Sequence, residues 1–373
     1  MDSLTNVPIA YAHIAVKNDF IGVISNAEGA FEFHIPVKNL NDSLFISRLG
    51  YESFVLPIVT LDGNQFQTFL LKEKVIVLKE ITITATKKTA EEILTEAFNR
   101  QRENAPPSPY ALDLFVRELF YFNDSCCAIV ESAAELLGEK YPKPGLDIYL
   151  NQIRGAIGLK PDFPTCTDNY NPFRDFRGII GSRGKVVRPC KDCTYEIDGY
   201  AFAEGQPVAI VSLKYQLENS NTSYCKYVIG LNDYAILKFE FETYMAFGKA
   251  FVQSFNAIKG SLISLTRIIE YKPLNGHYYL KSYRQEIKHE YRNANASPVY
   301  ITSHSFLVLA NLVQTQNIES LKSKKNPRHV MDYESTLFSQ KRDNEPEFWE
   351  NYNRVERTNL EDKLYDALSR NKR

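Results

Sequence analysis

The pair Cys190-Lys191-Asp192-Cys193 is the sharpest chemical feature of the sequence, because a two-residue spacer lets two thiolates face one zinc ion or close a redox disulfide. A structural zinc takes four ligands. No second pair at that spacing exists, and only Cys166 and Cys225 could complete a set, if folding brings them close. Zinc, a disulfide among Cys166, Cys190, Cys193 and Cys225, and free structural thiols all stand as readings. Cys126 and Cys127 are adjacent; the ring they would close is strained, so at least one is expected to be buried as a small hydrophobe.

Arg174, Arg177, Arg183 and Arg188 share a stretch with Gly178, Gly181 and Gly184. Backbone N–H groups and guanidinium forks in such a loop can hold an anion. Lys185 is followed by Val186, however, so the ending of a phosphate loop is missing, and tight turns are the plainer role for the glycines. His277, His289 and His304 fall in neighbouring predicted strands and could converge, although strand histidines are more often surface or satisfied core groups. None of the six histidines begins a His-x-x-Glu or zincin pattern, and no Gly-x-Ser-x-Gly elbow occurs. Asp113, Glu118, Glu131 and Glu135 gather carboxylates in one stretch. Alternation along a strand sends Asp113 and Glu118 to opposite faces, which argues against a close acid/base pair and for solvent or Arg117 as partners.

These groups must be positioned by strands. Tyr and Phe number 23 each against three Met and one Trp, a bias toward pleated, half-buried surfaces. From Pro8 to Thr84 short apolar runs recur at sandwich-like spacing: 8–16, Phe31–Ile35 after the turn Asn26-Ala27-Glu28-Gly29, Ser43–Ser47, Tyr51–Ile58, Phe66–Leu71 and Val75–Thr84. The turn at Asn26 and the alternating run Phe31–Ile35 that follows it read as part of a hairpin. Thr89-Ala90-Glu91-Glu92 is a capping box that opens a helix, closed before Pro106-Pro107-Ser108-Pro109. Strand-like runs follow at Leu112–Phe122, then from Tyr195 to Leu312, where Asn232-Asp233 and Pro273-Leu274-Asn275-Gly276 supply turns for an antiparallel meander. Residues 141–188 read as mostly irregular. Thr358-Asn359-Leu360-Glu361 opens a last helix with Leu360, Leu364 and Leu368 as its apolar stripe, and Trp349, Tyr352 and Val355 are expected to anchor its approach.

Composition limits the partners. Forty-four Lys plus Arg against 45 Asp plus Glu leave a net charge of -1, which argues against a nucleic-acid partner. No apolar run approaches the roughly 20 residues of a membrane-spanning helix.

The segments Asp2-Ser3-Leu4-Thr5, Pro8 to Ala12, Ile24 to Phe31, Ile46-Ser47-Arg48-Leu49-Gly50-Tyr51 and Leu78-Lys79-Glu80-Ile81-Thr82-Ile83 together resemble the carboxypeptidase-regulatory-like domain, a prealbumin-type sandwich of Bacteroidota-type envelope proteins. The resemblance implies a framework, not peptidase activity. It also implies a strand before Asp2 that Met1 replaces, hence a chain whose natural start lies upstream. It places the protein in the cell envelope, periplasm or outer membrane, where a disulfide becomes the leading reading of the cysteines.

The expected fold is mainly β: a sandwich over residues 1–86, a connector helix and Pro-rich linker over 87–109, an antiparallel domain over 110–320 with a half-barrel as its analogue, and a charged segment with a C-terminal helix over 321–373. The expected function is a non-catalytic envelope protein offering a sheet surface or pocket to a protein, glycan or lipid. Arg174, Arg177, Arg183 and Arg188 are the candidate ligand-binding residues, with no cofactor and no metal. The alternative is a hydrolase-type enzyme built from the Arg/Gly loop and the strand histidines.

Overall fold

In a computed structural model the described residues are 1–17, 19–63, 65–74, 88–139, 146–158, 171–182, 193–216, 222–244, 253–255, 258–293, 299–340 and 343–370. Strands β1 (His13–Val16), β2 (Gly22–Ile24), β3 (Ser43–Ser47) and β4 (Phe54–Pro57) form an antiparallel sheet in the order β2-β1-β3-β4. Ile14, Val16, Val23, Leu44 and Ile46 are buried in its core. The expected strands at Phe31–Ile35 and Phe66–Leu71 are irregular instead, and the hairpin lies one segment earlier, between β1 and β2. For the first of these the reason is visible at His34. Its N–H donates to Asn353 Oδ1 at 2.8 Å and its carbonyl accepts from Asn353 Nδ2 at 3.1 Å, so a side-chain amide takes the place of a strand partner. The turn at 26–29 forms as expected, with Asn26 Oδ1 accepting from the N–H groups of Glu28 and Ala30 and Gly29 at a φ of 75°. Residues 75–84 lie outside the described residues.

The second sheet is built from β5 (Tyr110–Phe122), β6 (Ser125–Gly138), β7 (Leu146–Ile157), β8 (Thr194–Ala203), β9 (Gln206–Gln216), β10 (Thr222–Gly230), β11 (Ile236–Tyr244), β12 (Gln253–Phe255), β13 (Ile258–Leu274), β14 (His277–Asn293) and β15 (Val299–Gln314). Ten strands run β7-β6-β5-β15-β14-β13-β11-β10-β9-β8, all antiparallel and open at both ends, with β12 beside β13. The meander is therefore interrupted. β5 pairs with β15, Val116 opposite Val308, so the first three strands extend the sheet beyond the last one. β7 falls in the stretch read as irregular, where apolar and polar residues mix because both of its faces are covered.

Helix α1 (Ala90–Asn99) starts at the Thr89/Glu92 capping box and buries Ile93, Leu94 and Ala97 against the sheet; α2 (Gln101–Asn104) continues it. Helix α3 (Pro172–Ser182) is a second correction to the irregular reading: Asn171 caps it through the N–H of Phe173 at 3.0 Å, and Gly178 and Gly181 sit within it rather than in turns. α4 (Ile318–Ser323), α5 (Pro346–Asn351) and α6 (Asn359–Arg370) follow β15. The α6 capping box forms, but Leu360 is 61% exposed while Leu364 and Leu368 pack on Leu119, Ile129 and Ala156, so the stripe is shorter than its spacing suggests. Among the described residues no helix is long and apolar enough to cross a membrane.

Alternation gives the large sheet two distinct faces. One carries Val116, Val130, Tyr227, Phe239, Tyr283, Phe306 and Val308 under α1 and α3. The other carries Phe115, Ala133 and Leu309 against the N-terminal sheet, Trp349 and Val355. The free edge of β7 is covered by residues near Val330 and Asp343, whose backbones bond Ile148 and Ile153.

Candidate functional site

On the face toward the N-terminal sheet, register places Arg117 of β5, Glu131 of β6 and Arg154 of β7 side by side. Glu131 is fully buried and receives Arg117 at 2.7 Å, Arg154 at 2.7 Å and Arg357 at 2.6 Å. Burial alone would raise its pKa, but the three guanidiniums hold it well below the usual carboxylate range. Arg117 also binds the carbonyls of Val355 and Glu356, and the Arg154 guanidinium lies 4.2 Å from the Trp349 ring. Beside it, Tyr352 OH donates to Asp113 at 3.0 Å and to the Leu114 carbonyl, and Asn311, at a bulge in β15, holds the Asn353 carbonyl. Burial pushes the Asp113 carboxyl up to about 6. This cluster fastens residues 349–357 to the sheet. Trp349, Tyr352 and Val355 anchor the C-terminal approach as expected.

The opposite face holds the chemistry the sequence looked for. Glu118, one residue from Arg117, points the other way and is fully buried; its Oε1 is 2.9 Å from His304 Nε2, and Phe120 stacks on the imidazole at 4.2 Å. Glu118 Oε2 is buried with no hydrogen-bond partner among the described residues. Register continues the surface through Ile287 opposite His304 and Leu265 opposite Ile287, with His289 farther along β14. Burial, with the neighbouring His304 charge, lowers His289 to about 4, so it is neutral at physiological pH. Toward α3 the floor is aromatic: Phe173 and Phe176 meet Phe306 and Tyr283 edge-on at 5.1 and 5.3 Å. Asp175 of α3 binds Arg267 at 2.6 Å, and Arg267 donates to Gln285 at 2.6 Å, which fixes the helix over the sheet.

Of the candidate arginines, Arg174 reaches Glu334 at 2.6 Å and the Tyr333 carbonyl, and Arg177 lies over the Tyr333 ring at 4.9 Å. Both thus engage the segment after α4 rather than the histidines; Arg183 and Arg188 lie outside the described residues. Of the histidines, His289 and His304 share a face, while His277 sits at the far end of β14 against the Glu103 carbonyl. Cys193 is disulfide-bonded, its partner lying outside the described residues, as do Cys166 and Cys190. Cys225 is corrected: it is a free, buried thiol pushed up to about 12 by burial, packed among the apolar side chains of the α1-bearing face. Cys127 is buried, as expected of one member of the adjacent pair. Among the described residues no group of three His, Cys, Asp or Glu could hold a metal ion. The Glu118–His304 pair escaped the sequence reading because its members are 186 residues apart; the one available signal was the parity that sets Glu118 opposite Asp113.

No protein-family model and no curated protein matches the chain. Among solved structures, a domain described as an outer membrane lipoprotein-sorting protein from Vibrio parahaemolyticus is 11% identical, covers 61% of this chain and 94% of its own, and has a TM-score of 0.23. A LolA-superfamily protein from Nitrosomonas europaea is 10% identical over 60% of this chain and 95% of its own, with a TM-score of 0.20. MucB in complex with MucA is 7% identical over 60% and 98%, with a TM-score of 0.18. Likeness of this degree assigns this chain neither a family nor an activity.

Proposed function

We propose that this chain is a non-catalytic binding protein of the cell envelope that holds an amphiphilic ligand on the α3-bearing face of the large sheet. Glu118 supports this most. It is a fully buried carboxylate in an apolar surrounding, with Oε1 facing His304 and Oε2 without a hydrogen-bond partner among the described residues, and an unsatisfied buried acceptor costs about 1–3 kcal/mol or more. A ligand hydroxyl, amide N–H or ammonium would meet that oxygen, while Phe120, Ile287 and Leu265 would receive an acyl body. The disulfide at Cys193 supports an oxidising compartment, in keeping with the resemblance of residues 2–83 to the carboxypeptidase-regulatory-like domain of envelope proteins.

The test is calorimetric titration with a long-chain acyl amide or monoacylglycerol and, in parallel, the matching fatty acid, whose carboxylate Glu118 would repel. The donor-bearing ligands should bind more tightly, and Glu118→Gln, which turns one acceptor into a donor, should weaken them at least tenfold. Equal affinity for wild type and variant would end this reading. The enzyme alternative draws on the same pair, since a carboxylate beside a histidine is the orienting half of a nucleophilic triad. Hydrolysis of a chromogenic acyl ester that disappears in His304→Ala would favour the enzyme instead.

A further inference from the structure

A cleft of about 60 Å³ lies where the N-terminal sheet meets β8, β11, β13 and β14, on the face away from α3. Its charged lining comes from five side chains: Arg48 just after β3, Glu204 just after β8, Lys238 of β11, Glu270 of β13 and Lys281 of β14. Lys281 is there because of a bulge. The β13–β14 register passes from Ser282 opposite Glu270 to Leu280 opposite Tyr271 and skips Lys281, which re-aims its side chain toward the side that Ser282 shares with Glu270.

The cations of this cleft exceed what its acids hold. Glu270 accepts one hydrogen bond, from Ser282 at 2.9 Å, and is kept at about 2 against the opposing effect of burial by Lys281, Arg284, Lys238 and Arg48. Lys238 contacts Glu240. Lys281, with its side chain only 12% exposed, has its nearest carboxylate among the described residues, Glu204, at 3.9 Å, beyond hydrogen-bond reach. Arg48 donates one guanidinium N–H to the Tyr11 carbonyl at 3.1 Å; no other hydrogen bond from its guanidinium is formed among the described residues. Of the five lining side chains, Arg48, Lys238 and Lys281 against Glu204 and Glu270 leave one positive charge in excess. A fork and an ammonium that each have donors to spare, facing one cleft from two sheets, form the usual recognition pair for an oxyanion.

We propose that this cleft binds a phosphate group, held between Arg48 of the N-terminal sheet and Lys281 of the large one. The phosphate clamps the two sheets together, and its source is either the free ion or a lipid headgroup. Glu270, behind the two cations, competes with it.

The experiment is isothermal titration of the full chain with inorganic phosphate at low ionic strength, repeated with Arg48→Gln, Lys281→Met and Glu270→Gln. Arg48→Gln and Lys281→Met should each weaken binding at least tenfold. Glu270→Gln should tighten it several-fold and make the melting temperature rise more steeply with phosphate than in wild type; a gain of that kind cannot come from misfolding. Competition by phosphatidylglycerol vesicles, with none by phosphatidylcholine vesicles carrying no net charge, assigns the group to a headgroup, and lack of competition assigns it to the free ion. Absence of phosphate binding to wild type at millimolar concentration overturns the proposal, as does binding that none of the three substitutions changes.

Discussion

Glu131 and Glu118 sit on neighbouring strands, both fully buried, yet the two faces of the sheet treat them in opposite ways. Glu131 is surrounded by three guanidiniums, and every one of them also grips something in the C-terminal segment or belongs to it. Among the described residues Glu118 has one imidazole and a bare oxygen. Buried charge that is fully partnered fixes one arrangement of the chain, whereas buried charge left half-partnered keeps a demand open for something else to meet. The contrast separates a fastening face from a receiving face, and mutations can sharpen or erase it.

The largest effect is expected on the fastening face. Glu131→Gln removes the carboxylate that all three arginines share, leaving Glu361 at 3.4 Å from Arg117 and Asp362 at 3.6 Å from Arg357, and should cost about 3–5 kcal/mol, measured by urea denaturation, with faster proteolysis around residues 345–357. A loss under about 1 kcal/mol would remove the distinction. Next is a pH effect at Asp113, whose folded pKa of about 6 lies above its unfolded value. The native state holds this proton more tightly, so the stabilisation is complete below the unfolded value of about 3.9 and is lost as pH rises through about 6. Stability from this group should fall by about 3 kcal/mol between pH 4 and 7, and Asp113→Asn should flatten that part of the profile in denaturation series. On the receiving face, Glu118→Gln should change stability by only about 1 kcal/mol, because among the described residues Glu118 has one hydrogen bond, with His304; a loss as large as that of Glu131→Gln would make the two faces equivalent. Smallest of all, Arg174→Ala breaks an exposed pair on the outside of α3 and should shift the unfolding midpoint by less than about 0.5 kcal/mol.

What the sequence made legible was local. The capping boxes at Thr89 and Thr358, the turn at Asn26, and the strands from Tyr195 onward follow from side chains acting on their own backbone or on the next segment. The anchoring residues Trp349, Tyr352 and Val355 were legible as apolar residues in a charged stretch. What escaped depends on remote partners. His34 looks like part of a strand until Asn353 takes its backbone groups. The glycines of α3 read as turns because nothing nearby reports that Phe173 and Phe176 have an aromatic floor to settle on. Lys281 belongs to the phosphate cleft only because a bulge breaks the alternation by which its direction would be inferred. Residue type and parity found Glu118 and His304 separately, but not that β5 and β15 lie side by side.

That pairing of β5 with β15 also governs how the molecule can be made. Residues near 116 have no neighbour on one side until residues near 308 arrive, so a ribosome must deliver most of the polypeptide before the seam can close. Until then β5, β6 and β7 present a bare apolar ribbon. A nascent chain of this kind invites a holding chaperone, and truncation just before β15 should leave a product that aggregates instead of a smaller folded protein.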